Sequence, residues 1–239
     1  MKEEQIKRCV QMANRDLLLP YGLPYLAYVG IASLGGDWLS PEWNYILKII
    51  IVPAILFWAW KWYVPILGPK KPLGSIAFGI VFGLVGLVVW CLLMAPFVDA
   101  AGGKPWSGAG FILRLVSASF IVPVFEEMFI RGYFLRAAFQ WDQHRKKMPA
   151  RAAVNQMLDH DHIEQVQPGA WSVAAILIST LAFTAGHLPS EWLACVAYSI
   201  LISMLWIVRK DLLSCMVAHG VTNLALAVYV YYTGYWGFW

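Results

Sequence analysis

Charged residues are scarce in this chain. Of its 239 residues only 13% are Asp, Glu, Lys or Arg, whereas 60% are hydrophobic. Soluble domains average roughly 25% charged residues, so the composition excludes a soluble domain of ordinary size as the main part of the chain. The net charge of +4 comes without a basic stripe interleaved with aromatic residues, and we therefore expect no nucleic-acid partner.

Cysteine and the common catalytic motifs are also rare or missing. The patterns G-x-S-x-G, H-E-x-x-H and G-x-x-x-x-G-K do not occur, so serine-hydrolase, zincin and P-loop chemistries have no support. The chain shows no internal repeat. Its four cysteines are scattered and look like small core residues rather than a disulfide framework or a zinc knuckle: Cys9, Cys91, Cys195 and Cys215.

Long apolar runs dominate the chain instead. A membrane-spanning helix needs about 20 mostly apolar residues. Such segments lie at 19–36, 45–67, 73–98, 109–139, 171–187, 192–208 and 211–233. Their hydrophobic residues are continuous rather than alternating, which predicts helices and not barrel strands. The predicted fold is therefore all-α, a polytopic transmembrane bundle of seven spans, or of eight if the segment at 45–67 is broken near Pro65.

Lys and Arg lie on alternate connections between these runs. The opposite connections carry only Lys104. Because Lys and Arg favour the cytoplasmic side, we predict a polar cytoplasmic segment at 1–18, a bundle at 19–239 and a cytoplasmic loop at about 140–170. The protein is then a multi-pass protein of the inner (plasma) membrane, surrounded by the lipid bilayer. The residues on the basic side are Lys2, Lys7, Arg8, Arg15, Lys61, Lys70, Lys71, Arg136, Arg145, Lys146, Lys147, Arg151, Arg209 and Lys210.

Ionisable side chains within the apolar segments concentrate in three motifs, Phe125-Glu-Glu-Met-Phe-Ile-Arg131, Phe183-Thr-Ala-Gly-His187 and His219-Gly-Val-Thr-Asn223. Such groups are costly in lipid and mark function or a structural pair. Glu127 and Arg131 are four residues apart, so they can pair on one helix face. Glu126 points elsewhere and has no helical partner of opposite charge, which makes it a candidate general base.

The second and third motifs supply imidazoles. Phe183 lies one turn before His187, and His219 shares a helix face with Asn223. An imidazole beside a carboxamide can donate two hydrogen bonds to one oxygen, as a developing oxyanion requires. Taken singly, each motif also fits an ion pair or a hydrogen bond between helices. Straight helices would place the two imidazoles at different depths, so a shared site requires a tilted or broken helix.

Together the three motifs resemble those of the CAAX-protease and bacteriocin-processing family of intramembrane proteases, which includes the type II CAAX prenyl endopeptidases. The pattern of that family is E-E-x-x-x-R, then F-x-x-x-H, then H-x-x-x-N or D, and residues 110–226 contain all three. The size and the aromatic tail look similar to a bacterial exosortase-associated subgroup called CAAX prenyl protease-related. The resemblance implies an endopeptidase that hydrolyses a membrane-associated or hydrophobic protein or peptide.

The resemblance also implies roles for single residues. Glu126 activates the attacking water and His187 helps to position it, while His219 and Asn223 stabilise the oxyanion. Glu127 is counted with the catalytic group. Arg131 and Phe183 give structural support.

Whether a metal takes part is left open by the resemblance. Glu126, His187 and His219 are acceptable ligands for a divalent metal such as zinc, which would polarise the carbonyl and acidify the water. A water activated by glutamate alone needs no metal.

Two other classes of function compete with the protease. A non-catalytic interaction protein, such as an immunity or assembly factor that retains the fold, would keep its activity after Glu126→Ala. An ion-coupled transporter would also use buried Glu and His, but the sequence shows no paired inverted repeat.

Overall fold

The computed structural model describes residues 12–34 and 38–239. All regular structure within these ranges is helical, which confirms the all-α prediction. The helices are α1 (Asn14–Ser33), α2 (Pro41–Ala59), α3 (Pro72–Met94), α4 (Gly108–His144), α5 (Ala150–Asp159), α6 (Val173–Thr184), α7 (Trp192–Arg209) and α8 (Leu212–Thr233). Short 3₁₀ turns lie at Trp60–Trp62, Ile163–Gln165, Pro189–Glu191 and Trp236–Phe238.

Each predicted apolar segment corresponds to one helix, and α5 lies within the predicted 140–170 loop. Within the described ranges, five helical stretches are long and apolar enough to cross a bilayer: Pro41–Trp62, Pro72–Met94, Gly108–His144, Pro189–Arg209 and Leu212–Thr233. These make the chain a multi-pass membrane protein, whereas the predicted count of seven or eight spans is not confirmed. The 12 residues of α6 extend only about 18 Å, less than the roughly 30 Å of a hydrocarbon core. Helix α2 and its 3₁₀ turn end at Trp62, so Pro65 follows the span and does not divide it.

Local sequence signals fix where the helices begin and end. The Ser107 hydroxyl accepts the Gly110 N–H at 3.0 Å before α4, and the Asp211 carboxylate accepts the Ser214 N–H at 2.7 Å before α8. Each cap satisfies a backbone donor that the first helical turn leaves free. Helix α8 ends at Gly234, whose φ of 74° lies in the left-handed region where glycine carries no side-chain penalty.

Helices α3 and α8 pack closely along a stripe of small residues. A Cβ on Gly83 would lie 2.6 Å from the carbonyl oxygen of Ala218, and one on Gly86 would lie 2.7 Å from Thr222 Oγ1. The Thr222 hydroxyl donates to the carbonyl of Gly83 at 2.8 Å. In lipid, where no hydrophobic effect drives helices together, close approach of this kind supplies the packing energy.

The connections gather at two ends of the bundle. At one end, the Asn14 N–H donates to the carbonyl of Asp161 at 3.2 Å, and the Leu212 N–H donates to the carbonyl of Ile66 at 3.0 Å. The connections at 60–71, 145–172 and 210–211 meet there with the start of α1. We call this the basic end, because these connections carry most of the Lys and Arg residues named above. The other end, which we call the aromatic end, comprises residues 38–40, 95–107, 185–191 and 234–239. The predicted basic residues Lys2, Lys7 and Arg8, and Cys9, lie outside the described residues.

Candidate active site

Helix α4 carries the two adjacent glutamates between two π-helical stretches. Val122–Glu127 is α-helical, and Ser117–Ile121 before it and Met128–Phe134 after it are π-helical. Pro123 has no N–H to donate to the carbonyl four residues earlier, which disfavours a regular turn there. A π turn accommodates one extra residue and rotates everything after it by about 100° relative to a regular helix. This rotation was not predicted from the sequence.

Five of the predicted residues line one cavity of about 250 Å³: Glu126, Phe183, His187, His219 and Asn223. The Glu126 side chain is nearly buried, and its Oε2 atom has no hydrogen-bond partner within the part of the chain that the structure describes. This atom lies 3.9 Å from Nε2 of His219. The three dispersed motifs therefore meet at a common space.

The two imidazoles reach this space although their positions along the helices differ. Helix α6 ends at Thr184, so His187 lies on the turn that follows rather than on a straight span. The Phe183 ring lies beside both imidazoles, with its centroid 4.6 Å from that of His187 and 6.2 Å from that of His219. A broken helix thus removes the difference in depth that the sequence implied.

Hydrogen bonds orient both imidazoles. Nδ1 of His187 lies 2.9 Å from the carbonyl oxygen of Phe183. A carbonyl oxygen only accepts, so Nδ1 carries the proton, and in the neutral ring Nε2 is the free acceptor. Nδ1 of His219 lies 3.0 Å from Oε1 of Glu127, so the carboxylate accepts there. That bond turns Nε2 of His219 towards Glu126.

The Asn223 amide is held at one side of the cavity. Its Nδ2 donates to the carbonyl of Ala118 on the first π stretch of α4 at 2.7 Å. A carboxamide has two N–H donors, so one of them stays available to a bound molecule.

Glu127 lies behind the cavity, not in its lining. It is fully buried and forms an ion pair with Arg131, with Oε1 and Nη1 3.2 Å apart. Arg131 also donates through Nη2 to the carbonyl and the hydroxyl of Ser199, at 3.0 and 2.9 Å. Glu127 was predicted to be among the catalytic residues; its described contacts are with His219 and Arg131, behind the cavity wall.

The predicted metal ligands share the cavity without forming a coordination site. Glu126 and His219 approach each other, but the described residues contain no group of three or more His, Cys, Asp or Glu arranged to hold a metal ion. The geometry therefore does not fit a three-ligand zinc centre made of Glu126, His187 and His219.

Sequence reasoning missed the rest of the cavity wall. The wall includes Tyr25, Tyr28, Tyr45, Trp90, Arg114, Tyr198 and Thr222. Two of these residues carried a usable signal: Arg114 is an ionisable residue within an apolar segment, and Thr222 is a hydroxyl residue three positions after His219 on an apolar helix. The aromatic residues come from four other helices, α1, α2, α3 and α7, and only the tertiary structure brings them together.

Comparison with known proteins agrees with this site. The family described as type II CAAX prenyl endopeptidase Rce1-like matches residues 108–225, the part of the chain that contains all three motifs. No curated protein matches the chain, and no solved structure does. Over residues 108–225 the chain is therefore similar to the Rce1-like family of type II CAAX prenyl endopeptidases.

Proposed function

We propose that this protein is an intramembrane endopeptidase in which Glu126 activates the water that attacks a peptide bond. The proposal rests on one observation above all. A nearly buried carboxylate, with one oxygen lacking any described hydrogen-bond partner, lines the same cavity as two imidazoles and a carboxamide. A buried polar atom without a partner costs free energy, and a bound water would satisfy it.

The protons can be followed through the reaction. Glu126 takes a proton from the water, and the hydroxide attacks the substrate carbonyl carbon while Nε2 of His187 accepts the second water proton as a hydrogen bond. The carbonyl oxygen gains negative charge. Protonated His219, whose Nδ1–H is held by Glu127, donates from Nε2 to this oxygen, and Asn223 donates its free N–H. Glu126 then returns its proton to the leaving amine, and the peptide bond breaks.

The substrate is a membrane-associated or hydrophobic protein or peptide. Aromatic side chains form much of the cavity wall, so an apolar segment is the natural ligand. We place the protein in the plasma membrane with its N-terminus and the basic end in the cytoplasm. Membership of the exosortase-associated subgroup stays a prediction.

Cleavage of a quenched fluorescent library of apolar peptides by the purified protein in bicelles tests the proposal. Glu126→Gln preserves the shape of the side chain and removes the base, so we expect turnover to fall to background. Asp159→Asn is the matched control, because this partly exposed carboxylate pairs with Arg15 at the basic end. Equal cleavage by wild type and Glu126→Gln refutes the proposal and leaves a non-catalytic or transport protein.

A further inference from the structure

Two cations lie within membrane-spanning helices near the aromatic end without a carboxylate partner among the described residues. Lys48 of α2 is only 4% exposed, and its Nζ lies 4.5 Å from the ring centroid of Tyr28 and 4.6 Å from that of Tyr45. An ionised side chain at such a place is costly, and its cost is usually offset by a partner or a function. Aromatic faces supply part of the compensation.

Arg114 of α4 is the second cation, and it lines the cavity directly. Its guanidinium carbon lies 4.8 Å from the ring centroid of Trp106 and 4.7 Å from that of Trp239. No hydrogen bond from its N–H groups to another described residue occurs. A guanidinium held by aromatic faces presents its N–H donors along its edges, in a fork that matches a carboxylate.

Because of the π turn, Arg114 and Glu126 lie on the same face of α4, with Arg114 nearer the aromatic end. Twelve residues of regular α-helix would leave the two side chains about 120° apart. The π stretch Ser117–Ile121 lies between them and accommodates one extra residue. The angle between the two side chains is therefore that of residues eleven apart in a regular helix, which is about three full turns. The separation along the axis is then about 16 Å. Both residues line the same cavity, as this rotation requires.

The other charged and titratable groups of the cavity lie apart from this position or are engaged. Glu191 belongs to the turn before α7, and its Oε2 accepts the Leu188 N–H at 3.0 Å. The two imidazoles are engaged through Nδ1, that of His187 with the Phe183 carbonyl and that of His219 with Glu127. Arg114 is the one Lys or Arg in the described lining, and Lys48 adds its charge from behind Tyr28 and Tyr45.

We propose that Arg114 binds a carboxylate of the substrate, about five residues from the bond that is cut, and that Lys48 strengthens this site. The spacing follows from geometry, since an extended chain covers about 16 Å with five residues at roughly 3.3 Å each. A lipid phosphate is also an anion, but a substrate carboxylate is favoured because Arg114 lines the same cavity as Glu126. This assignment rests on the proposed endopeptidase function and specifies what that enzyme selects.

The test uses apolar peptides with one cleavable bond and a carboxylate placed three to eight residues from it. The carboxylate is supplied either as an acidic side chain or as the chain terminus, with the corresponding amides as controls. For wild type we expect the highest kcat/KM at about five residues. Arg114→Gln raises the KM of that peptide by about tenfold or more with kcat unchanged, and it does not affect the amide. Arg114→Lys retains part of the preference, and Arg15→Gln, at the basic end, retains all of it.

Three results overturn the assignment. In the first, Arg114→Gln weakens acid and amide peptides equally, which reduces Arg114 to an interfacial anchor. In the second, the preference for a carboxylate persists in both Arg114 variants. In the third, the effect of Arg114→Gln appears only when anionic lipid is added to zwitterionic bicelles, which identifies a headgroup as the ligand.

A binding measurement separates this assignment from the protease proposal. Fluorescence anisotropy of the same peptides, measured on Glu126→Gln, requires no cleavage. If wild type cuts none of the peptides but Glu126→Gln binds the acids in an Arg114-dependent way, the anion site stands and the protease proposal fails. If no binding depends on Arg114, the anion site fails whatever the wild type cuts.

Discussion

Replacing Arg131 should destabilise this protein strongly, and the loss should be recovered by also removing the charge on its partner. Both Arg131 and Glu127 are 0% exposed, and their ion pair is 3.2 Å long. In the single variant Arg131→Met the carboxylate stays buried and loses its cation. Removing one partner of a buried pair costs about 3–5 kcal/mol, a large part of the roughly 5–15 kcal/mol that holds a protein folded.

The double variant Arg131→Met with Glu127→Gln isolates the charge. The glutamine keeps an oxygen that can accept from Nδ1 of His219, but no uncompensated charge remains. We therefore expect it to recover about 2–3 kcal/mol, the size of coupling found between residues in direct contact. The bonds that Arg131 makes to Ser199 are lost in both variants and cancel from the comparison.

SDS-induced unfolding of the purified variants in bicelles provides the measurement. Arg15→Met is the control, because its pair with Asp159 is exposed and is worth only about 0–1 kcal/mol. If Arg131→Met unfolds at the same SDS fraction as Arg15→Met, the buried pair does not carry the stability assigned to it. If the double variant is as unstable as the sum of the two single variants, the orphaned charge is not the cause of the loss.

Three further predictions follow from the packing and the site. Gly83→Ala should lower stability by about 1–3 kcal/mol in the same unfolding assay, because the new methyl meets the α8 backbone; Gly30→Ala, with nothing within 4 Å, should not, and equal effects would contradict the close packing. Asn223→Leu should lower kcat by about 10²–10³ through loss of an oxyanion donor, and an unchanged kcat in the peptide assay would remove this residue from the site. Treatment with a zinc chelator should leave the cleavage rate unchanged, since no three-ligand centre is present among the described residues; a loss of activity that added zinc restores would contradict the metal-free reaction.

The fold class, and the candidate residues whose side chains meet at the cavity, could be predicted from the sequence because both depend on strong local signals. Long apolar runs must be helical in lipid, and each predicted segment corresponds to a helix. Ionisable residues in such runs are rare enough to stand out, so Glu126, His187 and His219 could be identified before any geometry was known. The number of spans could not. Hydropathy does not show that α6 stops after 12 residues, and α1 is not among the described helices that are long and apolar enough to cross a bilayer.

The role of Glu127 was beyond the sequence for a different reason. Spacing paired it correctly with Arg131, since four residues make one helical turn. Spacing could not show that its carboxylate also accepts a hydrogen bond from His219, which lies 92 positions further along the chain. Contacts across such distances depend on how helices pack, and no local pattern records them.

The sequence by itself determined that this chain is helical and membrane-embedded, and which of its side chains are candidates for the chemistry, because composition and motif spacing are properties of neighbouring residues. Only the tertiary structure decided that the motifs surround one cavity, that Glu127 stands behind it and that Arg114 shares its wall. Those facts depend on a π turn that rotates α4 and on a break at the end of α6. Which side chains these two features bring together depends on packing between helices distant in the chain.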